Sequence, residues 1–367
     1  MLDIFKVPEE ESVRVRAADL RRVVTSLFER VGVPPDDATL GADVLVRADE
    51  RGVDSHGVSN MLRGYLTGYQ EGRINARPEW RVVREQASTA TIDCDRGLGI
   101  IIGPKAMGLA IQKARETGMG AVTMRNGRHM GMASYHAMLA LKHDMIGMAM
   151  TAVGANVLPT FGREGRLGTN PVAVAVPANE MHPFVYDVAT SMVAANKLQL
   201  IRRLDAPIPG NWIADMEGRI ISEPGPLPEA GQYKLLPFGG TRELGSHKGY
   251  GLAMVVEIMC SILAGALPGA MTQRGPANHF VAAYNIDAFT PVDEFKKTMD
   301  EWLRLMEATP PAPGYARVLT PGQEEAEAEV DRAAKGIPLH KEVVQWLEDI
   351  CKQLEVSFNL REFAASA

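Results

Sequence analysis

The segment Val172-Ala173-Val174-Ala175-Val176 alternates β-branched and small residues without a charge and is the clearest buried strand in the chain. It constrains the fold because it does not stand alone. From about Trp80 onward, β-rich runs at 80–83, 89–92, 121–124 and 146–150 alternate with helical patterns near 105–117 and 134–142, which makes the middle of the chain α/β. Both ends read differently. Leu20, Val23, Val24, Leu27, Phe28 and Val31 recur at helical spacing before Gly32, and Pro34-Pro35-Asp36-Asp37 opens a second helix. Asp54-Ser55-His56-Gly57 interrupts the pattern. Val58, Met61, Leu62, Tyr65 and Leu66 resume it, with Ser55 as the expected N-cap. A helix is expected from about Lys248 to Leu263 and a strand at 280–286. Three more helices are expected near 291–308, 323–335 and 340–355, followed by a frayed tail. We divide the chain into an N-terminal helical part (1–78), an α/β region (79–290) and C-terminal helices (291–367).

Composition limits the function. Of 367 residues, 39 are Lys or Arg and 45 are Asp or Glu; the net charge of -6 offers no basic excess for nucleic acid. No apolar run reaches the roughly 18 residues of a membrane span, and the acidic N-terminus does not read as a signal peptide. Cys94, Cys260 and Cys351 are too widely spaced for a zinc motif or a disulfide framework, which points to the cytoplasm.

Several clusters carry candidate chemistry. Gly97-Leu98-Gly99-Ile100-Ile101-Ile102-Gly103 follows a strand and precedes a helix, as a pyrophosphate loop does. Its three isoleucines, and the lack of an acidic residue after the next strand at Met124-Arg125-Asn126, favour a structural turn. Ser55-His56 sets a hydroxyl and an imidazole at a helix entry, and His129 sits between glycines in Asn126-Gly127-Arg128-His129-Met130-Gly131 at a strand end. His136 and His143 share a helix face without a third ligand nearby in sequence. Thr169 in Gly168-Thr169-Asn170-Pro171, a helix expected to open at Thr190, and Ser246-His247-Lys248-Gly249 offer amides, hydroxyls and a cation to an anion.

Taken in order, Asp54-Ser55-His56-Gly57, Asn126 to Gly131, Leu167 to Pro171, Asp187-Val188-Ala189-Thr190-Ser191, His247-Lys248-Gly249 and Pro321-Gly322-Gln323-Glu324 resemble the malate/L-lactate dehydrogenase family of the non-Rossmann type, over residues 15 to 355. The resemblance implies an α/β fold in which a cofactor domain on a largely antiparallel sheet is flanked by a helical domain formed from both chain ends. It implies hydride transfer between NAD or NADP and a 2-hydroxy acid, or a related alcohol or amine, and its oxo or imino partner, in a homodimer with the active site near the subunit interface. The roles it implies are His129 as acid/base with His56 as rival, Ser55 and His56 at the substrate, and Asp187 behind the reacting centre. An Asp187 close to a histidine would raise that histidine's pKa. Cofactor contacts fall on Pro183, Phe184, Val185, Tyr186, Asp187, Val188, Ala189, on His247 and Lys248, and on Gly322, Gln323 and Glu324.

The family's arginine four residues after the motif histidine, suited to clamp a carboxylate, is Asn60 here. Arg63, on nearly the same helix face, is the expected stand-in, and Asn60, Arg63 and Thr169 complete the substrate set. Arg125 and Lys197 are the candidates to meet a 2'-phosphate. The alternatives are a metal-dependent hydrolase or lyase using His56, His129, His136 and Asp187, and an interaction protein whose glycine loops are only structural.

Overall fold

The structure is a computed structural model that describes residues 3–272, 276–360 and 363. A short strand β1 (Ser12–Val15) leads into α1 (Ala17–Arg30), α2 (Pro35–Glu50) and α3 (Val58–Gln70). The central part comprises β2 (Arg81–Glu85), β3 (Thr89–Asp93), α4 (Gly99–Thr117), β4 (Met119–Gly127), α5 (Ala133–Met138), β5 (Met145–Ala152), β6 (Val172–Val176) and β7 (Phe184–Val188). It continues through α6 (Ala195–Arg203), the two-residue strands β8 (Ile213–Ala214) and β9 (Lys234–Leu235), α7 (Ser246–Glu257) and β10 (Ala277–Asn285). The chain returns through α8 (Val292–Glu307), α9 (Gln323–Lys335), β11 (Ile337–His340) and α10 (Lys341–Gln353).

Seven strands form one mixed sheet in the order β2-β3-β4-β10-β5-β6-β7. Its β3–β4 pair is parallel and is bridged by α4; every other neighbouring pair is antiparallel. The first turn of α4 explains the glycine run between β3 and α4. Gly99 donates to the Arg128 carbonyl at 3.1 Å, and a Cβ on Gly99 would lie 2.6 Å from that oxygen and 2.8 Å from the Met130 Cα. Ile100 and Ile101 enter the helical core with Leu27, Leu45 and Leu62, whereas Ile102 enters the sheet core with Ile92, Met107 and Val122. The loop is therefore a packing joint between two cores. Each buried isoleucine contributes about 1.5–3 kcal/mol.

The two chain ends meet. β1 pairs antiparallel with β11 from Ser12↔His340 to Val15↔Ile337, and Ile337, Leu339, Val343 and Leu347 pack into the core of α1 to α3. α9 joins the same side through Arg51–Glu329 and Arg332–Asp54. α8 instead stays with the α/β part: Asp300 accepts the backbone N–H groups of Asn179, Glu180 and Met181, and Lys296 pairs with Asp144.

Several sequence expectations need correction. α3 is capped by Gly57, and its Val58 N–H donates to Asp49 Oδ2 at 2.8 Å, so Ser55 is not the cap. The helix expected to open at Thr190 starts at Ala195, because Thr190 spends its N–H and hydroxyl on the Thr169 carbonyl. α7 ends at Glu257 and continues as one wide π-helical turn, Ile258–Ile262. The tail is not simply frayed, since Val356, Phe358 and Leu360 pack on the helical core and Phe363 N–H donates to the Arg14 carbonyl; residues 361–362 and 364–367 lie outside the described residues.

His136 and His279 are fully buried, one bonded to the Met130 carbonyl, the other to Thr151 Oγ1 and the Arg128 carbonyl. Burial pushes them down to about 4 and about 3. The unfolded chain therefore binds protons below about pH 6.5 that the fold refuses, so stability is full above that pH and falls with acid. Denaturant titrations are expected to lose, between about pH 6.5 and 4.5, about 1.4 kcal/mol per pH unit for each such histidine, and His279→Gln is expected to flatten the slope.

Candidate functional site

The site begins with a 3-10 turn, Asp54–His56, between α2 and α3. The turn is held from both sides. Arg332 of α9 donates through Nη2 to Asp54 Oδ2 at 3.0 Å and through Nη1 to Asp54 Oδ1 and the Asp49 carbonyl. Asp49 is fully buried, and its burial, reinforced by the charge of Asp54, raises its carboxyl well above the usual range. Ser55 Oγ is then free to meet His56 Nδ1 at 2.9 Å.

β4 delivers the second imidazole. His129 leaves the strand end and stacks on His56 with ring centroids 5.8 Å apart and planes 12° from parallel. Its Nδ1 lies 2.7 Å from the Tyr65 hydroxyl of α3 and 3.2 Å from the Gly131 nitrogen, and the two compete for it: the Tyr65 oxygen can take an Nδ1 proton, whereas the Gly131 N–H needs a bare Nδ1. Both Nδ1 atoms are thus engaged, and among the described residues Nε2 of each ring has no protein partner. Burial lowers His56 to about 3, helped by the charges of His129 and Lys197, and burial lowers His129 to about 4. Both residues keep part of their surface open to solvent, although protein crowds the imidazoles.

Asp187 and Lys197 belong to the same region. Asp187, on β7, is open to solvent at the sheet edge yet crowded by protein, and that crowding raises its carboxyl above the usual range. Its Oδ2 accepts the Ser134 N–H at 2.7 Å. Asp187 does not act on either histidine: neither imidazole is shifted by it, so the expected carboxylate-raised histidine is replaced by two burial-lowered ones. Lys197 is half-buried and lowered by burial against the opposing charges of Glu325 and Asp187, with Nζ 5.1 Å from the Phe5 ring centroid.

Two of the three expected cofactor segments meet at one sheet edge. Pro183 to Ala189 run along β7; Val185 N–H donates to the Pro321 carbonyl at 3.1 Å, and Gly322, at φ +91°, sits so close that a Cβ there would lie 2.9 Å from the Val185 Cβ. Gln323 and Glu324 then open α9. Thr190 ties Thr169 to Phe238, whose backbone packs under Gly249 and so carries the exposed His247 and Lys248 at the start of α7.

Two expected substrate residues are engaged elsewhere. The Asn60 amide donates to the Asn196 carbonyl at 3.0 Å, and its oxygen accepts from Arg203, tying α3 to α6. Arg63 pairs with Glu342 at 2.6 Å and lies 4.8 Å over the Trp346 ring of α10, so it does not stand in for the missing clamp. Of the two arms offered for a 2'-phosphate, Arg125 pairs with Asp93 at 3.3 Å, and Lys197 lies beside His56 and Asp187. His136 and His143 are spent on Met130 O and Arg115, and no group of three His, Cys, Asp or Glu among the described residues is arranged to hold a metal ion. A charged cavity of about 500 Å³ lies behind the turn, lined by Asp54, Arg332, Arg51 and Glu325 among others; it contains neither histidine and is not the site.

The malate/L-lactate dehydrogenase family pattern matches residues 15–348. The chain belongs to the malate/L-lactate dehydrogenase family. It is 38% identical to the malate dehydrogenase of Pyrococcus abyssi over 95% of its length and 97% of that protein's, and 36% identical to the L-sulfolactate dehydrogenase of Methanocaldococcus jannaschii over 91% and 95%. The fold matches the crystal structure of malate dehydrogenase from Entamoeba histolytica with a TM-score of 0.90 at 30% identity, covering 95% of this chain and 99% of that one. Membership makes this chain an oxidoreductase of the hydroxy-acid dehydrogenase kind.

Tyr65 was read from sequence only as a core position, and no local signal marks its contact with a histidine 64 residues away. In this dehydrogenase its hydroxyl is the group that can accept a proton-bearing Nδ1 of His129, leaving Nε2 bare. Tyr65→Phe is expected to leave Gly131 N–H as the sole partner and move the ring proton to Nε2. The ¹⁵N shifts of His129 would register that exchange of tautomer, and alcohol oxidation would fall about 10- to 10²-fold in kcat with cofactor KM unchanged.

Proposed function

We propose that the chain is an NAD(P)-dependent dehydrogenase of the CH–OH group, interconverting a small 2-hydroxy acid, or a related alcohol, with its 2-oxo or imino partner. The observation that carries this reading is the stacked His56–His129 pair, whose Nδ1 atoms are occupied and whose Nε2 atoms have no protein partner among the described residues. An alcohol loses a proton as well as a hydride, and a neutral imidazole within hydrogen-bond reach is the group to take it. His129 is that base; its low pKa keeps it unprotonated at neutral pH. His56, fixed by Ser55, holds the substrate oxygen. Such positioned acid/base groups contribute on the order of 10²–10⁴-fold in rate.

The residues that would hold the cofactor fit its chemistry. β7 is an edge strand, the turn Gly322-Gln323-Glu324 is pressed against it, and α7 starts nearby with Lys248 exposed, so backbone donors, a helix N-terminus and a cation lie along one edge for a dinucleotide. Nicotinamide, when bound, supplies the hydride chemistry. Asp187 fixes the first turn of α5 from β7, and Lys197 is the half-buried cation nearest His56 and Asp187. With Asn60 and Arg63 engaged elsewhere, Lys197 is the group that meets a substrate acid.

A homodimer suits the surface. Leu252, Val255, Ile258, Ile262, Leu263 and Leu267 form an exposed apolar band along α7 and beyond, on the helix that carries His247 and Lys248. A second copy covering that band would bring the interface to the cofactor edge. No described helix is long and apolar enough to cross a membrane, and the three buried free thiols suit the cytoplasm.

The test is thermal unfolding with NAD, NADH, NADP and NADPH, followed by a panel of 2-hydroxy acids, hydroxy sulfonates, cyclic imino acids and neutral alcohols read at nicotinamide absorbance. One cofactor pair is expected to raise the melting midpoint and to support turnover of a 2-hydroxy acid, and His129→Ala is expected to abolish turnover while keeping the cofactor shift. No shift with any of the four cofactors would overturn the reading.

A further inference from the structure

Three arginines from three separate segments meet beside the strand that carries His129. Arg128 immediately precedes the histidine; its Nε donates to the Arg73 carbonyl at 2.8 Å and its Nη1 to the Gly127 carbonyl at 2.8 Å. Arg96, in the turn between β3 and α4, donates through Nη1 to the Gly72 carbonyl at 3.3 Å. Two consecutive carbonyls, Gly72 and Arg73, therefore each hold one guanidinium, and Arg73 adds a third.

The acids around them are committed. Glu71 pairs with Arg73. Asp95 accepts Asn75 Nδ2 and the Glu79 N–H, and Asp93 accepts Arg125 and Asn126. Among the described residues, Arg96 and Arg128 make no ion pair. Their carbonyl partners satisfy donors without cancelling charge, and burial together with the charges of Arg96 and Arg73 pushes the Arg128 guanidinium below its usual range. The backbone also bears strain here: Asp95 and Arg96 are both left-handed, at φ 48° and 58°, and a long side chain such as arginine rarely adopts that conformation. Three arginines thus stand beside Glu71 and Asp95, and Arg73 alone of the three is ion-paired among the described residues.

We infer that Arg73, Arg96 and Arg128 form a binding site for a compact oxyanion carrying two or more negative charges, such as a phosphoryl group. Guanidinium forks match the geometry of such oxyanions through paired N–H donors. The site differs from the proposed cofactor edge in its residues, because none of the three arginines lies on β7, on the Gly322 turn or on α7. It does not rest on the redox reading, and a bound anion would pull on the residue that carries His129.

The experiment titrates inorganic phosphate into the full chain, against chloride at matched ionic strength, and follows the thermal midpoint. Phosphate is expected to raise it by about 2 °C or more. Arg96→Asn, which suits the left-handed backbone, and Arg128→Gln are each expected to weaken phosphate binding at least about tenfold, while Lys248→Gln keeps it. Without phosphate, Arg96→Asn is expected to melt no lower than the parent, since a like charge is removed, and this separates lost binding from lost folding. A parallel titration with glycerol phosphate distinguishes the source: tighter binding than phosphate assigns a phosphoryl group on a larger molecule, and equal binding assigns the free ion. No rise beyond chloride, or an unchanged rise in both arginine variants, would overturn the site.

Discussion

The buried ion pair between Asp54 and Arg332 joins the end of the chain to the turn that carries Ser55 and His56. α9 contributes the arginine and also opens, at its other end, on the Gly322-Gln323-Glu324 turn against β7. One helix therefore touches both the Ser55–His56 turn and the proposed cofactor edge. The pairing of β1 with β11 closes the same circuit around the helical core. Breaking a buried pair of this kind by removing one partner costs about 3–5 kcal/mol, which gives the chain ends a direct hold on the geometry of His56.

The chemistry of the site follows from where it is put. Two stacked imidazoles crowded by protein lose solvation and stay neutral well into acid, and neutrality is what the proposed base for an alcohol proton requires at physiological pH. Hydroxyls on both Nδ1 atoms decide which nitrogen is left for substrate. Asp187, set by the resemblance behind the reacting centre, accepts the Ser134 N–H at the start of α5 and lies near Lys197, and burial is the main cause that lowers both histidines.

Much of this was legible in the sequence. The alternation in Val172 to Val176 marked β6 to the residue, and the helical periods of α1 and α3 and the isoleucines of the glycine loop pointed to the packing they make. The ordered motifs carried the family. What stayed hidden depends on partners far along the chain. β1 and β11 are four residues each and make sense only as a pair, and β7 has four exposed or half-exposed positions in five that blur its pattern. The contact of Tyr65 with His129 and the meeting of Arg73, Arg96 and Arg128 leave no trace in local spacing. Asn60 was visible as a departure, but its use in tying α3 to α6 required the position of Asn196.

The central claim is that a burial-lowered His129 is the base. It is tested most directly by the pH profile of kcat/KM for oxidation of a 2-hydroxy acid between pH 4 and 9. The account predicts a profile without a histidine break near neutrality, holding level down to about pH 5 before His129, lowered to about 4, gains its proton. A break near the ordinary histidine value of about 6.5, or an unchanged profile in His129→Ala, would contradict it.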